Sequence, residues 1–155
     1  MGDESAKRAA EEYLAAKLSA EGETQEAKLN HETAERLSTA VWRQVAETVT
    51  RQCRDWNKVV GEQVFAVKET MLGDLRIVCA GRPHQLIVHF DSRKLRIVLK
   101  NSARLEHETD IIMLIEGYWD GNARSARLMR NREPVNLDMM MVGELRVLAG
   151  LSRRA

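Results

Sequence analysis

Four histidines, two cysteines and 23 carboxylates are the side chains that could hold a metal or act on a substrate. A metal site needs ligands that converge. His84 and His89 stand five residues apart in an alternating run, which sends them to opposite faces of one strand. His31 has no second histidine four residues on, so the helical HExxH arrangement is absent. The densest ligand-type group is Glu106-His107-Glu108 with Asp110, in a polar stretch that reads as a solvated loop. The expectation is no metal and no cofactor.

Nucleophile motifs are missing as well. The nine glycines form no GxGxxG and no phosphate loop, and no serine sits in GxSxG. Cys53 and Cys79 both fall on apolar faces and read as small hydrophobic side chains. Glu69 and Glu116 lie within apolar strands, where burial would raise a carboxyl pKa. A cross-strand pair of Glu116 with Arg127 accounts for the second more simply. The chain therefore leans away from catalysis, with a small pocket enzyme or ligand-binding protein kept as the third reading.

The bases are the remaining chemistry. Net charge is +1, but residues 1–35 hold nine acids and four bases, and residues 36–155 hold fourteen acids and twenty bases. From 75 to 104 there are seven bases against one acid, Asp91. Arg76, Arg96, Lys100 and Arg127 would fall on one sheet face, where such a cluster could neutralise phosphates. Stacking platforms for bases are scarce, with seven aromatics in 155 residues and Tyr118 the clear candidate on that face.

These residues need elements to position them. Residues 4–20 are rich in Ala, Glu and Lys, strong helix formers, around a thin stripe of Ala10, Tyr13, Leu14 and Leu18. Glu21-Gly22-Glu23-Thr24 reads as a break, with Thr24 the N-cap of a second helix. This divides the chain into an acidic extension, 1–23, and a single domain, 24–155. Residues 25–60 then repeat Ala34, Leu37, Val41, Val45, Val49, Trp56 and Val60 at helical spacing, with Trp42, Cys53 and Val59 widening the arc. An arc that broad suits packing across a sheet better than a coiled-coil seam.

From Glu62 the period becomes two. Alternating runs at 62–71, 75–80, 84–90, 95–100, 111–119 and 123–129 are joined by short turns such as Asp120-Gly121-Asn122, the signature of antiparallel hairpins. Pro134 and Asn136 introduce a closing helix whose apolar face is Leu137, Met141, Leu145 and Leu148, stopped at Gly150. The fold class is α+β: a long amphipathic helix packed on a meander of about six strands, open or closed into a barrel, and a short C-terminal helix.

Alternation assigns the sheet faces. Leu75, Ile77, Cys79, Leu86, Val88, Phe90, Leu95, Ile97 and Leu99 form one apolar face for the helix to cover. The opposite face mixes Val78, Val98, Ile112 and Leu114 with Arg76, Arg96, Lys100 and Arg127. An apolar centre with charged margins is the pattern of a protein interface. The leading expectation is a non-catalytic interaction module using this face, through self-association or a protein partner. The alternative is nucleic-acid or anionic-ligand binding through the same bases. No apolar run approaches the ~18 residues of a membrane span, and the start MGDESAKRAA is too polar for a signal peptide. Two cysteines without CxxC spacing suit a reducing, cytoplasmic setting.

Overall fold

The computed structural model describes residues 2–105 and 110–151. It opens with one helix, α1 (Gly2–Val60), 59 residues without interruption. At 1.5 Å per residue it is about 88 Å long. The expected break at Gly22 is absent. One interior glycine costs a helix only about 1 kcal/mol, and the flanking Glu, Ala, Gln and Lys all favour helix. Thr24 caps nothing; its hydroxyl donates to the Ala20 carbonyl at 2.9 Å inside the helix.

The sheet follows as β1 (Phe65–Glu69), β2 (Leu75–Cys79), β3 (Gln85–Asp91), β4 (Arg96–Asn101), β5 (Ile111–Trp119), β6 (Arg124–Arg130) and β7 (Glu133–Pro134), and α2 (Leu137–Leu148) closes the domain. Spatial order equals sequence order, with every neighbouring pair antiparallel. The meander is thus an open sheet with β1 and β7 at its edges. It has one strand more than expected. Asn131 (φ 54°) and Arg132 (φ 65°) make a tight two-residue turn that folds β7 back onto β6. Both central residues have positive φ, as a type I′ hairpin requires, but without the usual Asn-Gly sequence the turn is silent.

Both helices lie on one face of the sheet. The inward residues Ile77, Leu86, Val88, Ile97, Leu99 and Met113 are fully buried against Val45 and Val49 of α1 and Met141, Leu145 and Leu148 of α2. Residues 30–60 of α1 cross the sheet from β5 and β6 to β1. At the first end, Gly117 lets the helix backbone come close: a Cβ there would stand 2.2 Å from the Asn30 carbonyl oxygen. At the other end, Asn57 clamps β1. Its amide donates to the Phe65 carbonyl and its oxygen accepts from the Val64 and Phe65 N–H groups, all at 2.9 Å. Trp56 packs edge-on to Phe65, ring centroids 4.9 Å apart. The apolar stripe stops there: Val59 and Val60, expected on it, are exposed beyond the sheet edge.

The closing helix is capped by Asn136, whose side chain accepts from the Met139 N–H. Gly150 takes φ 81° just past its end. Arg51 of α1 ion-pairs with Asp138 at 2.6 Å rather than with a neighbour on its own helix. A second tie is deeply buried. Glu144 of α2 accepts from the Arg104 guanidinium and from the Asn101 amide, both from the end of β4 and the turn after it. A buried carboxylate is stable only when paired and hydrogen-bonded, so this network fixes how α2 seats on the sheet.

Candidate functional site

With both helices on one face, nothing among the described residues covers the other face of the sheet. Cross-strand register orders its side chains into rows. One row runs Lys68, Arg76, Ile87, Lys100. The next runs His89, Val98, Ile112, and the third Asp91, Arg96, Leu114, Met129. Beyond it stand Glu116 and Arg127. Ile87, Val98, Ile112, Leu114 and Met129 therefore join into an apolar diagonal across four strands. Ile112 is 43% and Leu114 54% exposed at its centre. Val98 lies on this face as expected but only 6% exposed, covered by its neighbours, and Val78 is half-buried near the β1 edge.

The bases divide into two kinds. Arg96 pairs with Asp91 at 3.4 Å, and Arg127 pairs with Glu116 at 3.2 Å. The Arg127 guanidinium also lies over the Tyr118 ring, 4.2 Å from its centroid. The Lys94 backbone N–H, and then Arg96, hold the Asp91 carboxyl below its ordinary range. These two arginines are neutralised in place. Arg76 and Lys100 are both exposed in a different row, so the four bases do not form the single cluster that the sequence suggested. The residue that sequence reasoning missed is Lys68. It stands directly across from Arg76, base against base, on the edge pair of strands. Its strand alternates weakly, and the facing of Lys68 and Arg76 depends on the turn at Gly73, so composition gave no signal for it.

His89 Nδ1 donates to Asp74 Oδ1, 2.6 Å away, and His31 pairs with Glu35 at 2.7 Å on the exposed helix. Both are satisfied locally. Among the described residues no group of three or more His, Cys, Asp or Glu could hold a metal ion. The Glu106-His107-Glu108 group lies outside the described residues. Cys53 and Cys79 are buried free thiols, and burial pushes Cys53 up to about 12. A thiol so displaced is a poor nucleophile at neutral pH.

An open groove of about 420 Å³ lies between the end of α1 and α2, lined by Gln52, Asp55, Trp56, Val59, Val60 and Val142. Its walls are apolar and it gathers a single carboxylate. Such a groove can hold an apolar side chain, but it offers no acid–base pair. Among the described residues no helix is long and apolar enough to cross a membrane. Comparison with protein-family models, with curated proteins and with solved structures returns no match.

Proposed function

We propose that this protein is a non-catalytic interaction module that self-associates through the uncovered sheet face. The observation that carries the reading is the exposure of Ile112 and Leu114 in the middle of a seven-stranded sheet whose other face holds both helices. A solvated antiparallel face normally alternates to polar residues. Here the centre is branched and apolar, and the margin consists of the ion pairs Asp91–Arg96 and Glu116–Arg127 and the Asp74–His89 hydrogen bond. Apolar core within a polar rim is the anatomy of a protein contact.

A second reading, anionic-ligand or nucleic-acid binding, is favoured by Lys68, Arg76 and Lys100 in one row. Against it, Arg96 and Arg127 already have acids, and Tyr118 is partly covered by Arg127. The test is the double change Ile112→Asp with Leu114→Asp, followed by sedimentation velocity and circular dichroism. Loss of self-association is expected, with helix and strand content unchanged. An unaltered sedimentation coefficient, with retention on an oligonucleotide column that Arg76→Ala and Lys100→Ala abolish, would favour the second reading.

A further inference from the structure

The first half of α1 has no sheet beneath it. Residues 4–29 are exposed throughout, about 40 Å of helix beyond the domain. The arm is tied to the body at its base, where Glu26 pairs with Arg124 at 3.0 Å. We propose that this helical arm of one copy docks on the uncovered sheet face of a second copy, an inference that rests on the self-association read above. The arm's own sheet face is out of reach, because α1 is unbroken and lies on the opposite side of the sheet.

Charge names the occupant. The arm, residues 4–29, holds six acids and four bases, while residues 36–155 hold fourteen acids and twenty bases. Lys68 directly across from Arg76 is a like-charge pair, unfavourable unless an anion lies against it. On the arm, Glu11, Leu14, Leu18 and Glu21 follow at spacings of three, four and three, which puts all four on one face. Leu14 and Leu18 are 54% and 59% exposed. From Glu11 to Glu21 is about 15 Å along a helix. From Lys68 to Lys100 is three strand spacings, about 14 Å. The two carboxylates thus match the two ends of the basic row, and the leucines between them stand over Arg76 and Ile87, the first residue of the apolar diagonal.

The experiment is a charge swap in the full chain. Lys68→Glu with Arg76→Glu makes the body acidic, and Glu11→Lys with Glu21→Lys makes the arm basic. Each variant alone is expected to lose self-association by about 100-fold or more, since like charges meet across the contact. Mixed in equal amounts, they are expected to recover a heterodimer, because each arm then meets a body of opposite sign. If the body variant assembles like wild type while the arm variant does not, the arms pair with each other and the proposal is wrong. If both variants assemble like wild type while Ile112→Asp with Leu114→Asp does not, the sheet face is the contact without the arm. If that apolar variant also assembles like wild type, the self-association reading itself fails.

Discussion

Gly117 is where the packing of α1 on the sheet can be broken with one methyl group. It lies in β5 under the point where α1 first meets the sheet. A Cβ built on it would stand 2.2 Å from the Asn30 carbonyl oxygen, 2.9 Å from the Thr33 Cβ and 3.0 Å from the Asn30 carbonyl carbon. Two of these three atoms are backbone and cannot swing away. To reach ordinary van der Waals distance, helix and strand must separate by about 1 Å, and a gap of that size forfeits a quarter to a half of each contact well. Ala34 and Val41 farther along the helix share that loss, because α1 moves as a rod. Arg124, which donates to Asn30 at 2.9 Å, would be strained at the same time. Overpacking of this kind costs about 1–3 kcal/mol. For a domain of this size Gly117→Ala should lower the melting temperature by about 3–10 °C, read by circular dichroism and by a urea midpoint at unchanged slope. A control is Gly143→Ala in α2, where a Cβ meets nothing within 4 Å. That change should stabilise by about 0.5–1 kcal/mol. If Gly117→Ala melts with wild type, α1 does not rest on β5 as described.

Asn57→Ala removes three hydrogen bonds that tie α1 to Val64 and Phe65 and leaves the Phe65 N–H without this acceptor, while the Val64 N–H keeps the Glu62 carbonyl; a loss of about 1–3 kcal/mol is expected by urea denaturation. Trp56→Ala should cost about 2–3 kcal/mol, less than a fully buried ring, because one side of the indole faces the groove beside Val142. Cys53 should resist a thiol reagent in the native protein and react at once in denaturant, scored by mass. Its folded pKa lies above its ordinary value, so the stability this thiol contributes is whole below pH 9 and erodes as pH rises toward about 12. That slope should shrink in Cys53→Ala.

Much of the architecture is legible in the sequence because period reports directly on burial. The change from 3.6 to two near Glu62 marks the step from helix to sheet, and Asp120-Gly121-Asn122 marks its hairpin. Asn136 and Gly150 bound α2 as their residue types suggest. The illegible features depend on contacts distant in sequence or on a balance of small terms. Gly22 reads as a stop because a single glycine signals nothing about the helix formers on both sides outweighing it. Glu144 carries no mark of burial in its own neighbourhood, and only its meeting with Arg104 and Asn101 makes it a buried tie. On the candidate face, alternation places Arg76, Val78, Arg96, Val98, Lys100, Ile112, Leu114 and Arg127 on one side. The cross-strand pair Glu116–Arg127 is legible from the hairpin between them; register elsewhere gives Arg96 its acid and brings Lys68 beside Arg76.

The central claim is that the uncovered face makes copies of this chain associate. Its most direct test is the mass of the unaltered chain in solution, by sedimentation equilibrium over a range of micromolar concentrations. Equilibrium is needed because a helix of about 88 Å inflates any measure based on shape, such as gel filtration. Self-association predicts a mass at a whole multiple of 17.6 kDa, falling toward that value on dilution. A mass of 17.6 kDa that stays constant up to the highest concentration would contradict it.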